Sequence, residues 1–240
     1  MEILFQGTFA KFSERSDENE DAFSLLANQG RIVVCDGASE SFDAKIWARI
    51  LADKFTSFDL TSENLVSCLE EYESLHNRAD LSWSKAAAYD RGSFSTLIVV
   101  QDLPDTKSIN ITAIGDSVVV LTDGQKIIKS FPYSKSEEFL LAPTLLSTIG
   151  KHNDWLQSEE SFLCSTEWSY RGMSSAYLIC MTDALGAWLF RCIEDGSPDV
   201  LERVLKIRNE DELAELVTLE REGFMRRDDS TLIIARVSGE

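Results

Sequence analysis

Apolar residues recur along this chain with two different spacings, and the alternation between them outlines the fold. Ala22-Phe23-Ser24-Leu25-Leu26 and Arg31-Ile32-Val33-Val34-Cys35 are short, mainly apolar runs that read as paired strands, and Asn28-Gln29-Gly30 between them has turn chemistry. The spacing then lengthens. Ile46, Trp47, Ile50, Leu51 and Phe55 share one helix face, and Leu65, Leu69, Tyr72 and Leu75 share the face of a second helix. Four more short runs follow: Thr96 to Val100, Ile109 to Ile114, Val118 to Leu121 and Lys126 to Phe131. Their connections are too short to cross over to a parallel partner, so antiparallel pairing is expected.

Residues 132 to 160 are less regular and read as a mobile insert. Ala176 to Met181 is a further strand. Helical stretches come next at Leu185 to Ile193, Val200 to Leu205 and Leu213 to Leu219, and Ser230 to Val237 is the closing strand. At the other end, Leu4-Phe5-Gln6-Gly7 resembles a viral protease cleavage site, and the alternative is a first strand from Ile3 to Phe9. The block order β, α, β, α, β predicts an α+β sandwich with mainly antiparallel sheets. With 240 residues, no internal repeat and only four prolines, a single domain spanning 1–240 is expected.

Polar residues break this pattern at defined places. Acidic islands sit at the ends of apolar runs: Asn19-Glu20-Asp21, Asp36-Gly37, Met181-Thr182-Asp183 and Arg227-Asp228-Asp229-Ser230-Thr231. Carboxylates at strand ends on distant segments suggest one site assembled by folding, and oxygen-only ligands suit Mg²⁺ or Mn²⁺. Each island also has a local explanation. Asp-Gly is a common turn, Asn19 to Asp21 suits a solvated loop, Asp183 suits a helix N-cap, and Asp228-Asp229 suits a turn before an edge strand. Gly115-Asp116-Ser117 is accounted for equally well by a tight hairpin. Gly92-Ser93-Phe94-Ser95-Thr96 lacks the lysine and spacing of a phosphate-binding P-loop.

Composition narrows the chemistry. The net charge of −18 repels nucleic acid and anionic membranes, so neither is expected as a partner. A phosphorylated substrate would need a local cation to reverse that field, which bound metal would supply. Five cysteines without a CxxC pair, and only two histidines, build no zinc-ligand spacing. Cys35 and Cys180 read as small core residues, and a reducing cytoplasmic location is expected.

The joint order of these segments is more specific than any one of them. Asn-Glu-Asp, strand-Asp-Gly, Gly-Ser-x-Ser-Thr, Gly-Asp-Ser, strand-Thr-Asp and Asp-Asp-Ser-Thr-strand resembles the motif series of the metal-dependent protein phosphatases of the type 2C class, in a divergent, bacterial-like form, from Asn19 to Val237. The resemblance implies a four-layer α-β-β-α sandwich, two mainly antiparallel sheets flanked by helices, with two Mn²⁺ or Mg²⁺ ions at one edge. It implies that Asp36 bridges both ions, Asp183 and Asp228 complete the first, and Glu20 with the Gly37 carbonyl holds the second. Asp21 would order a metal-bound water. Asp116, with Asp183, would hold the third ion found in bacterial members.

The implied activity is a monomeric serine/threonine protein phosphatase whose metal-bridging hydroxide attacks phosphorus directly. Its partners would be a phosphoserine or phosphothreonine protein and a cognate kinase.

The chain departs from the family pattern at several points. Ala38 stands where some members carry a histidine proposed as the general acid, Ala184 follows Asp183 where glycine is usual, and Val118 replaces an arginine after Gly-Asp-Ser. Arg15, the candidate phosphate-binding arginine, is about one residue out of register. Two alternatives therefore stand beside the enzyme reading. One is a catalytically impaired relative that binds a phosphoprotein or a partner kinase. The other is a phosphatase for a small metabolite, with residues 132 to 160 facing the substrate.

Overall fold

The computed structural model describes residues 1–157, 164–197 and 199–238. Its first sheet has the order β1-β12-β11-β7-β8, built from β1 (Glu2–Phe9), β7 (Val118–Thr122), β8 (Ile127–Phe131), β11 (Ala176–Met181) and β12 (Ser230–Val237). The second has the order β10-β6-β5-β3-β2, from β2 (Ala22–Leu26), β3 (Arg31–Cys35), β5 (Leu97–Leu103), β6 (Ser108–Ile114) and β10 (Ser165–Ser169). Both are antiparallel throughout. A two-stranded pair joins β4 (Phe94–Ser95) to β9 (Leu146–Ser147). The helices are α1 (Ala44–Ser57), α2 (Ser62–Leu75), α3 (Trp83–Arg91), α4 (Asp183–Glu194), α5 (Val200–Leu205) and α6 (Glu210–Arg221).

Alternation along the central strands builds three cores. Ile32, Val34, Val119, Leu121, Leu178, Cys180 and Ile233 meet between the sheets. Their neighbours Val33 and Cys35 face the other way, against Trp47, Leu51 and Phe55 of α1 and Leu65 and Tyr72 of α2. Val118, Val120, Ile179, Met181 and Leu232 likewise pack under Leu185, Trp188 and Leu189 of α4 and under Val204 and Val217. The result is the expected α-β-β-α sandwich. It also explains why these strands are unbroken apolar runs, since both of their faces are buried.

Several sequence expectations are corrected. Gly115-Asp116-Ser117 makes no hairpin: β6 and β7, which it joins, belong to different sheets, so it carries the chain across the sandwich. Asp123-Gly124 does turn a hairpin, between β7 and β8. β12 is no edge strand, because β1 and β11 flank it. Leu75, the last residue of α2, is 59% exposed, since the helix face that touches the core ends at Tyr72.

α3 and β10 lie outside the stretches that apolar spacing marks. α3 buries no side chain, and β10 is polar at most positions, so neither carries an apolar period. The stretch from 132 to 160 contains β9 and two 3₁₀ segments, Ser136–Leu140 and Gly150–Gln157, and the end of the expected insert, 158–160, lies outside the described residues. Among the described residues no helix is long and apolar enough to cross a membrane.

Trp47 ties α1 to the rest of the molecule. It is fully buried, and its Nε1 donates to the Leu146 carbonyl at 2.9 Å. Trp47→Ala is expected to lower the unfolding free energy by about 3–5 kcal/mol, measured by denaturant titration.

Candidate functional site

Strand register gathers the acidic segments at one edge of the sandwich. Ala22 pairs with Cys35, which sets Asp21 beside Asp36. Met181 pairs with both Leu232 and Val118, so the end of β11 and the starts of β12 and β7 lie together. Ile114 pairs with Leu97, bringing Asp116 to the same edge from the second sheet. A cavity of about 370 Å³ opens there. Its lining includes Asp36, Gly37, Asp116, Asp183 and Asp228 together with Lys11 and Arg226.

Polar clamps hold these segments in place. The Asp36 amide donates to Thr96 Oγ1, and the Thr96 amide donates to the Asp36 carbonyl, each at 2.9 Å. Thr96 Oγ1 is also 2.8 Å from Ser117 Oγ, so the Gly92-to-Thr96 segment joins the Asp-Gly and Gly-Asp-Ser segments directly. Gly115 sits at φ 94° against Thr96, a conformation that disfavours any side chain. At Gly37 an added Cβ would lie 2.9 Å from the Ala44 backbone, so the loop after β3 presses on the first turn of α1.

Asp21 lies beneath the cleft rather than in its lining. Its Oδ2 accepts from Thr231 Oγ1 at 2.7 Å and Thr182 Oγ1 at 3.1 Å, while its buried Oδ1 has no partner among the described residues. The solvated-loop explanation of this segment therefore fails for Asp21. Asp183 is the first residue of α4, and the N-cap is Thr182, so capping does not account for the aspartate.

Glu20 and Arg15 line an adjoining cavity of about 500 Å³ with Lys45, and Lys11 borders both cavities. Arg15 is half exposed and ion-paired to Glu18 at 3.0 Å, so its guanidinium is not in the carboxylate cleft.

Electrostatics mark the cleft as strained. Burial pushes the Asp36 carboxyl well above its ordinary range, and Asp21, Asp183, Asp116 and Asp228 push it further. Burial, then the charge on Asp183, raises Asp116 to about 6. Asp183 is raised by burial against the opposing pull of Arg226, and Glu20 is raised chiefly by burial. Like charges held this close favour either protons or cations.

The oxygen-only donor set and the buried Asp183 Oδ1, without a hydrogen-bond partner among the described residues, fit a hard divalent ion. Among the described residues, no three acidic, imidazole or thiol side chains yet stand close enough to grip one together. Arg226 occupies the space between two of them: its Nη2 donates to Asp183 Oδ2 and lies 3.3 Å from Asp228 Oδ2.

At this edge Asp229 has a role its turn explanation did not predict, and Arg221 and Arg226 lie outside the segments the sequence marked. Asp229 accepts from the Lys11 amide at 2.6 Å and the Glu20 amide at 2.8 Å, locking the first acidic segment to β12. Arg221 donates to the carbonyls of Ala10, Lys11 and Asp228. The visible signal was the basic pair Arg226-Arg227 directly before an acidic island in a strongly acidic chain. His76 and His152 lie outside the cleft lining. His76 bridges Asp43 and the Tyr72 carbonyl at 3.0 and 2.9 Å, a structural role.

No family sequence model and no curated protein matches the chain. Solved structures do. A bacterial serine phosphatase superposes with a TM-score of 0.59 at 17% identity, covering 99% of each chain. The serine/threonine phosphatase Stp1 from Staphylococcus aureus gives 0.59 at 18% identity, covering 100% of this chain and 98% of the other. The serine/threonine phosphatase PstP/Ppp of Mycobacterium tuberculosis gives 0.53 at 13% identity over 98% and 99%. The protein thus has the fold of the bacterial type 2C serine/threonine phosphatases.

Two predictions follow from the clamps and the charge. Asp229→Ala leaves the part-buried Lys11 and Glu20 amides without their acceptor and should cost about 1–3 kcal/mol in denaturant titrations. The second concerns pH. The folded Asp116 holds its proton up to about 6, against an ordinary value of 3.8. Between those values the native state binds more protons than the unfolded chain, so this group lowers stability as pH rises through the window. In chelator, Asp116→Asn should therefore be more stable than the wild type at pH 7, and the difference should vanish near pH 4.

Proposed function

We propose that this protein is a Mn²⁺- or Mg²⁺-dependent phosphatase for phosphoserine and phosphothreonine in proteins. The observation that carries the proposal is the convergence of Asp36, Asp116, Asp183 and Asp228 on one cleft, with Asp36 raised by every other member of the set. A scaffold that forces carboxylates together against their repulsion is explained by cations that they are built to hold. Asp36, Asp183 and Asp228 would hold one ion. Asp36, Glu20 and the Gly37 carbonyl would hold another, and Asp116 with Asp183 would serve a third. When bound, such ions generate hydroxide near neutral pH and neutralise phosphoryl oxygens.

The chain's own residues do the positioning. Thr96 fixes the Asp36 backbone at both its amide and its carbonyl. Thr182 and Thr231 orient Asp21 so that one carboxylate oxygen stays free to accept a hydrogen bond. Lys11 brings positive charge to the cleft and to the Glu20 pocket, where it adjoins Arg15, the proposed phosphate contact. Ala38 lines the cleft and cannot transfer a proton, so it supplies no acid for the leaving group.

A polypeptide substrate is favoured over a small metabolite by a second groove, of about 490 Å³, that shares Asp183 and Arg226 with the cleft. Phe139, Leu140 and Phe224 line it, and Leu140 is 86% exposed, offering apolar surface to residues flanking a phosphorylated side chain. A cytoplasmic location and a cognate kinase as partner belong to the same proposal and rest on the free cysteines and the fold alone.

Phosphopeptide hydrolysis should require Mn²⁺, stop in EDTA, and fall at least ~10²-fold in Asp36→Asn. Hydrolysis indifferent to chelation would refute the proposal, and tight Mn²⁺ binding without hydrolysis of any phosphopeptide would favour the impaired-relative reading. Leu140→Ser should raise KM for a phosphopeptide by about three- to tenfold, leaving that for p-nitrophenyl phosphate unchanged.

A further inference from the structure

The carboxylate pair assigned to the first ion already has a cation. Arg226 Nη2 donates to Asp183 Oδ2 and stands 3.3 Å from Asp228 Oδ2. Lys11 Nζ approaches the other oxygen of Asp228 at 3.4 Å. Arg226 sits two residues before Asp228, between α6 and β12, and so is tethered to the island that it neutralises. Among the described residues no ion pair reaches Asp36: after burial, the leading influences on its carboxyl are four other aspartates, and Asp36 acts on Arg226 less than Asp183 and Asp228 do.

From this geometry we propose that Arg226 is a built-in competitor for the divalent ion at Asp183 and Asp228, so that metal binds there only by exchange with the guanidinium. The inference rests on the metal-dependent reading given above. An oxygen lone pair directed at a guanidinium N–H is not free for an ion, and both cations in one small cleft would repel. The exchange needs no disturbance of the core, because the Arg226 side chain is 56% exposed. It also lines the neighbouring groove, where Glu137 offers an alternative anionic partner. The arrangement makes two kinds of ion position: one at Asp36 and Glu20 without a guanidinium to displace, and one at Asp183 and Asp228 whose affinity is reduced by it. In the ion-free protein Arg226 offsets carboxylate repulsion, and in the loaded protein it is released at the rim of the cleft.

The test is calorimetric titration of the intact protein with Mn²⁺, paired with thermal unfolding in EDTA and in Mn²⁺. Arg226→Ala and Arg226→Gln should each raise the affinity of the weaker class of sites about tenfold or more. Both should lower the melting temperature in EDTA and show a larger Mn²⁺-induced rise than the wild type. Arg226→Lys, which keeps the charge but loses the forked donor, should fall between. A purely structural role would lower the melting temperature equally with and without Mn²⁺ and leave affinity unchanged, and that result overturns the inference while sparing the metal-dependent reading. If neither the wild type nor any variant binds Mn²⁺ at millimolar concentrations, the proposed function and this inference fall together.

Discussion

Repulsion among carboxylates confined to one edge of the sandwich is the constraint around which this structure is organised. Left free, such groups would separate into water. Here the antiparallel register of β2 with β3, and of β11 with β7 and β12, fixes their backbones at adjacent strand ends. The cohesion that opposes the repulsion comes from the three apolar cores. Trp47, Trp188 and the two-sided central strands supply enough buried area to hold a locally unfavourable charge cluster in place. An acidic cleft of this type is therefore a property of the whole sandwich rather than of the loops that line it.

Around the cleft, a layer of small hydroxyls and one aspartate converts that general cohesion into specific placement. Thr96 and Ser117 join segments from both sheets, Thr182 and Thr231 hold Asp21, and Asp229 anchors the backbones of Lys11 and Glu20. These contacts explain why the motifs occur as a set. The Gly-Ser-x-Ser-Thr segment contributes no ligand, yet through Thr96 it positions Asp36, and through Ser93, whose hydroxyl accepts from the Asp43 amide, it steadies the start of α1. Arg226 and Lys11 complete the arrangement electrostatically, since the cleft of a chain with net charge −18 carries its own counter-charge.

Legibility from sequence followed burial. The strands Ala22 to Leu26, Arg31 to Cys35, Ala176 to Met181 and Ser230 to Val237, and the helix Val200 to Leu205, have the ends that their apolar runs mark, because their apolar side chains are buried or half-buried. β10 and α3 escaped notice because they contribute little to any core. The acidic segments stood out because each adjoins one end of an apolar run, and the structure brings Asp36, Gly37, Asp116, Asp183 and Asp228 to one cavity, with Glu20 and Arg15 in the next and Asp21 beneath. Asp229 and the threonines Thr96, Thr182 and Thr231 lay inside the marked segments, but their anchoring roles did not show, and Arg226 stood out only as half of a basic pair, since exposed arginines and strand threonines are common everywhere.

Periodicity and the placement of charged residues, both local properties, were enough to predict an α+β sandwich of mainly antiparallel sheets and to mark the acidic segments at the ends of its strands, whereas the four layers came from the family resemblance. Tertiary structure alone decided where the chain changes sheet. Gly115-Asp116-Ser117 has the same turn residues whether the next strand pairs with β6 or crosses to the opposite sheet, and only the burial of Val118 and Val120 under α4 selects the crossing. It alone decided, too, which cations answer the cleft. Ion pairing depends on distances between residues far apart in the chain, and so Arg226 sits between Asp183 and Asp228 while Arg15 remains outside with Glu18.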